Sequence, residues 1–73
     1  MSDYKHIKPG TPLSKREQDV LIFVGKGCTN AEIARLLNIA ETTVGDHLKR
    51  IFRRLDTNTR VEAAVWAAKQ GWL

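Results

Sequence analysis

Four cations crowd into six residues at Lys49, Arg50, Arg53 and Arg54, and no acid interrupts them. Fixed positive charge at this density suits a polyanion, because each cation can neutralise a phosphate and release a counterion. The plainer alternative is a solvated helix face whose cations complement the negative end of the helix dipole. Bond-making chemistry has no comparable set of residues. The serines are Ser2 and Ser14, and neither has a His placed to act as its base. The acids are scattered without metal-ligand spacing, and Gly25-Lys26-Gly27 is too short to cradle a phosphate. Cys28 stands alone, which excludes an internal disulfide and a Cys-rich zinc site and fits a reducing compartment. Catalysis, a metal and a cofactor are therefore not expected. Binding is.

Helices must position those cations. Ser14-Lys15-Arg16-Glu17 is a capping box, in which the hydroxyl accepts from a first-turn amide and Glu17 reaches back to the cap's own N–H. It opens a first helix with Val20, Leu21 and Val24 on one face, ended by Gly25 and Gly27. Thr29-Asn30-Ala31-Glu32 is a second box, opening a short helix whose Ile33, Leu36 and Leu37 are expected to be buried. Asn38 follows where a left-handed turn residue is wanted. A third helix begins near Ala40 or Glu41, with Val44, Leu48, Ile51, Phe52 and Leu55 as its apolar stripe. Its opposite face carries Gly45, Asp46, Lys49, Arg50 and Arg53. Thr59-Arg60-Val61-Glu62 is a third box and starts a last helix running to about Gln70. The expected fold class is all-α, with four helices.

The chain has 73 residues, enough for one small domain that buries only about 60% of its unfolded surface. A hydrophobic share of 42% and a charged share of 27% are ordinary for a folded domain and exclude a disordered chain. Residues 1–12 read as a flexible arm of polar, basic and turn-forming types, and residues 13–73 as the domain. Twelve Lys and Arg against eight acids give a net charge of +4. Lys49, Arg50, Arg53, Arg54 and Arg60 supply a compact share of that excess, with Asp56 the one acid among them. No apolar run reaches the roughly 18 residues of a membrane span, and no signal-peptide pattern opens the chain. No membrane partner is expected.

Two short helices joined through Asn38 have the layout of a helix-turn-helix, whose second member lies in the DNA major groove. From Leu13 to Leu73 the chain resembles the DNA-binding domain of LuxR/FixJ/NarL/GerE-type bacterial transcription regulators. The resemblance is carried by Leu13-Ser14-Lys15-Arg16-Glu17, Val20-Leu21, Gly27 and Thr29-Asn30-Ala31-Glu32-Ile33-Ala34. Leu37, Ile39, Thr43-Val44, His47, Ile51, Leu55, Arg60, Ala63 and Gly71 complete it. It implies a four-helix domain that binds promoter DNA through the third helix and often dimerises through the fourth.

The same resemblance implies residue roles. Gly45, Asp46 and Lys49 fall at the base-facing positions. Thr43 falls where the family contacts backbone phosphate, although local capping would also account for it. Arg50, Arg53 and Arg54, from their charge and not from the resemblance, are expected to grip the backbone with Thr43 and Lys49. Thr29 and Asn30 open the helix that crosses the backbone and are secondary candidates, and their capping role alone would also explain them. His47 is implied to be structural with an edge-on phosphate contact, and Glu17 and Arg60 to pair between the first helix and the last.

Two departures stand out. The family usually has Lys after its Thr-Val pair, where this chain has Gly45, and an apolar or small residue next, where it has Asp46. The missing side chain would let the helix sit closer to the bases, with Asp46 accepting from a cytosine amino group. Alternatively Asp46 pairs with Arg50 as an ordinary surface couple. Ala40 replaces the usual Ser and is a poor cap, so Thr42 or Thr43 is expected to supply an acceptor.

The last helix is apolar around much of its circumference. Val61, Ala64, Val65 and Ala68 form one stripe, and Ala63, Trp66 and Ala67 a second. A small domain can bury one of them in its core and the other against a partner. Val61, Val65, Trp66 and Ala68 are the expected dimer interface, with Trp66 as anchor, unless Trp66 and Trp72 simply cap the core. The expected partner is double-stranded DNA, bound by a stand-alone homodimer in the cytoplasm at the nucleoid. The alternative is a protein-binding module that heterodimerises with full-length LuxR-type regulators and inhibits them.

Overall fold

The computed structural model describes residues 13–73; the arm expected at residues 1–12 lies outside them. Four helices follow in order: α1 (Lys15–Gly25), α2 (Asn30–Leu37), α3 (Glu41–Leu55) and α4 (Arg60–Lys69). Among the described residues there is no strand, so the fold is all-α.

The three boxes start their helices as the sequence predicts. The hydroxyls of Ser14, Thr29 and Thr59 each accept from the amide three residues on, at 3.1 Å in every case. Helix α3 is the exception. Ala40 caps it with no side-chain hydrogen bond, and neither Thr42 nor Thr43 supplies the acceptor expected of them. Its first turn therefore keeps N–H groups that no side chain satisfies.

All four helices end alike. Residues Gly27, Asn38, Asp56 and Gly71 have positive φ, and each lets the chain reverse into paired bonds back onto the helix. After α2, for example, the Ile39 N–H donates to the Ala34 carbonyl at 3.0 Å and that of Asn38 to Arg35 at 3.3 Å. This closure satisfies carbonyls that the helix leaves unpaired and fixes the direction of the next segment.

The core is built from Leu13, Val20, Leu21, Val24, Ile33, Ala34, Val44, Leu48, Ile51, Ala63 and Ala67. Helix α1 packs most extensively on α4, and α2 on α3. Phe52 and Leu55 are partly buried at the edge of the same cluster. One expectation fails on α2: Leu36 is 59% exposed, and Ala34 is buried in its place. The stripe of α2 is centred on Ile33, Ala34 and Leu37, and Leu36 projects to its side.

Polar groups also enter the interior. Glu17 and Gln18 are buried beside the α1 stripe. Among the described residues, no helix is long and apolar enough to cross a membrane.

Candidate nucleic-acid interface

Helix α3 presents two contrasting faces. Val44, Leu48 and Ile51 are buried, while Asp46, Lys49, Arg50, Arg53 and Arg54 are exposed. Lys49 lies one turn beyond Gly45 and shares its side of the helix, with Asp46 next to it. The three residues expected to face bases thus form one continuous surface. Thr43 is half-buried at the start of the helix, beside the uncapped first turn, where the dipole is positive.

The cations of this face are not equivalent. Arg54 Nη1 donates to Glu17 Oε1 at 2.7 Å, and the Glu17 carboxylate is buried beneath it. That oxygen also accepts from the Ser14 N–H at 3.1 Å, so a single carboxylate caps α1 and holds the last turn of α3. Arg50 and Arg53 are exposed, and among the described residues neither has such an anchor. Asp46 forms an ion pair with neither Lys49 nor Arg50, so the surface couple considered from the sequence is not formed.

The ion pair expected between Glu17 and Arg60 is likewise absent. Arg60 opens α4 beside the start of α2, where Nη1 donates to Asn30 Oδ1 and Nη2 to the Cys28 carbonyl, both at 2.7 Å. Glu17 faces the end of α3 instead. Arg60 fixes the first turn of α2, and with it the orientation of the Asn30 amide: the carbonyl end is held, leaving the NH2 end as donor. Thr29 is exposed, and its hydroxyl serves as the cap acceptor for Glu32. The Glu32 carboxyl is held below its ordinary pKa, chiefly by the Thr29 backbone N–H and then by its hydroxyl.

Gly45 has no structural necessity. A Cβ built there meets nothing within 4 Å, and its φ is not positive. Glycine within a helix costs about 1 kcal/mol relative to Ala, and nothing in this fold offsets that cost. His47 is partly buried, and its Nδ1 is buried with no hydrogen-bond partner, so packing is its visible role. Cys28 is partly buried against the core.

Helix α4 resolves which of its stripes faces inward. Ala63 and Ala67 are fully buried. Trp66 is partly buried against the core and meets Trp72 edge-on, with ring centroids 5.2 Å apart and planes at 81°. Val61 is 72% and Val65 47% exposed, and Ala68 is exposed with them. Trp66 is thereby separated from the three residues grouped with it from the sequence, because it lies on the inner side of the helix.

The sequence features that combine into this architecture have counterparts elsewhere. The family model for bacterial regulatory proteins of the luxR family matches residues 11–67. The chain belongs to that family. The nitrate/nitrite response regulator protein NarL of Escherichia coli is 41% identical over 58 residues, which are 80% of this chain and 27% of NarL. The HTH-type transcriptional activator RamA of Corynebacterium glutamicum is 43% identical over 67 residues, 92% of this chain and 24% of RamA. The regulatory protein SdiA of Escherichia coli is 34% identical over 71 residues, 97% of this chain and 30% of SdiA. This chain therefore spans less than a third of each relative's length. Membership of the luxR family makes it a DNA-binding regulatory domain of helix-turn-helix type and not an enzyme.

Two features of this luxR-family domain are only weakly marked in the sequence: the partners of Arg60 and the burial of Gln18. The clamp at Arg60 was signalled only by its match to the family pattern. Gln18 lies three residues before Leu21 and shares its side of the helix, but its polar type points the other way.

Proposed function

We propose that the chain is a sequence-specific transcription regulator that places α3 in the major groove of double-stranded DNA. The observation that carries this reading is the exposed face of α3. Gly45, Asp46 and Lys49 are contiguous there, and Arg50 and Arg53 flank them with no anchoring carboxylate among the described residues. In this reading Gly45, Asp46 and Lys49 face bases, and Thr43, Arg50 and Arg53 hold the sugar-phosphate backbone with Thr29 and Asn30. Arg54 contributes charge to the same backbone contact while Glu17 fixes its position. The protein acts in the cytoplasm, on the nucleoid.

Two copies pair through α4, burying Val61, Val65 and Ala68, with Trp66 bracing the helix from behind. A two-fold dimer sets its recognition helices about 34–36 Å apart, in successive major grooves. The exposed stripe also supports a second reading: capture of a full-length LuxR-type regulator, with Asp46 reflecting weakened DNA contact. Electrophoretic shifts on genomic fragments, run beside pull-downs with such regulators, separate the two. Specific retention of DNA by the chain alone supports the first. Heterodimers without a DNA shift support the second.

A further inference from the structure

Gly45 and Asp46 are two residues of α3 that the fold does not explain. Open space surrounds the missing Cβ of Gly45, and its backbone has no positive φ. Asp46 is exposed, with no ion pair to either neighbouring cation. Both are poor helix formers. A carboxylate on a face turned to phosphates also repels the ligand that the surrounding cations attract. Both residues are therefore unfavourable for the free helix, and Asp46 for non-specific affinity as well. A ligand group that donates a hydrogen bond to Asp46 offsets both.

In the major groove, the donors are the cytosine N4 and adenine N6 amino groups. Adenine presents N7, an acceptor, beside its amino group, and an ionised carboxylate is an acceptor only. Cytosine presents no acceptor at that place. Lys49 is a donor only, matched to guanine O6 and N7. Asp46 is short, so it reaches a base edge only when the helix comes close, and the absent side chain at Gly45 permits that approach.

Resting on the reading that α3 enters the major groove, we infer that Asp46 reads cytosine and Lys49 guanine, in the same G·C pair or the adjacent one. Asp46 is thus a specificity-determining residue that trades general affinity for base choice.

The test is selection of bound sites from a randomised duplex pool by the full chain, by Asp46→Asn and by Asp46→Ala. Circular dichroism confirms the fold of each, and a salt titration on random DNA measures non-specific affinity. The wild type should enrich cytosine at one fixed position with discrimination of about 5- to 150-fold. Asp46→Asn should move that preference to adenine, the base an amide pairs with. Asp46→Ala should abolish the preference there while binding random DNA more tightly. Cytosine retained by Asp46→Ala, with normal binding, overturns this inference alone. Absence of salt-dependent DNA binding by the wild type overturns it together with the placement of α3.

Discussion

The Arg54 guanidinium sits 2.7 Å from the buried carboxylate of Glu17, across 37 residues of sequence, and ties the last turn of the proposed recognition helix to α1. The Arg54 side chain is 44% exposed and that of Glu17 only 4%, so the pair is asymmetric: the acid is committed and the base is half in solvent. A buried carboxylate that loses its charged donor retains its desolvation penalty. Arg54→Ala should therefore destabilise the domain by about 2 kcal/mol, the scale of a hydrogen bond to a charged group. Arg53→Ala should stay within about 0.5 kcal/mol of the wild type, as a surface substitution. Urea unfolding of both variants, with Glu17→Gln alone and combined with Arg54→Ala, checks this. Strictly additive effects of Glu17→Gln and Arg54→Ala would contradict the coupling.

Gly45→Ala should stabilise the free domain by about 0.5–1 kcal/mol, because it removes glycine's entropic cost without introducing a clash. Thermal melts of the two proteins without DNA provide the comparison. A lowered melting temperature would show that the site is not the open space seen beside it.

The Glu32 carboxyl closes the second capping box and is held below its ordinary pKa by the Thr29 backbone N–H, then by the Thr29 hydroxyl. A depressed folded-state pKa means that the cap's stabilisation is present above the unfolded pKa and is lost as pH falls through the folded one. The cap at the start of α2 should thus be complete above the ordinary carboxylate pKa and loosen as pH falls from there through the lower folded-state value. An NMR titration of the Glu32 carboxyl and the Thr29 amide reads this directly. Titration of both at the unperturbed carboxylate pKa would contradict it.

Most of the architecture was legible because local rules coincide. Ser14, Thr29 and Thr59 mark helix starts through side chains that serve the backbone only at caps, and Asn38 marks the turn through its tolerance of positive φ. The stripe of α3 was legible because its apolar spacing leaves one rotation that buries Val44, Leu48 and Ile51 together. Leu36 is not legible in this way: it lies three residues after Ile33, a spacing that suits a buried face, and only the packed fold shows that Ala34 takes that place. The partners of Glu17 and Arg60 were misassigned for a related reason: charge complementarity names suitable partners, whereas tertiary placement chooses among them. Among the cations of α3, sequence alone could not separate Arg53 from Arg54. They are neighbours along the chain, but only Arg54 turns back onto α1.

The outer stripe of α4 gives the dimer its test. Val61→Lys and Val65→Lys place charge on a surface that the single chain leaves exposed, so the fold should be unaffected, within about 0.5 kcal/mol. Sedimentation should show a dimer for the wild type and a monomer for the double variant. A monomeric wild type, or a dimer indifferent to both substitutions, would contradict pairing through this face.

If the exposed face of α3 grips DNA phosphates, the slope of log K against log salt reports it. Each phosphate neutralised contributes about −0.9 to that slope on B-form DNA. The wild type should bind duplex DNA with a steep negative slope, and Arg53→Ala should make it shallower by about 0.9 while leaving the fold intact. A wild-type isotherm indifferent to salt, or a slope unchanged when Arg53 is removed, would contradict phosphate contact by this face.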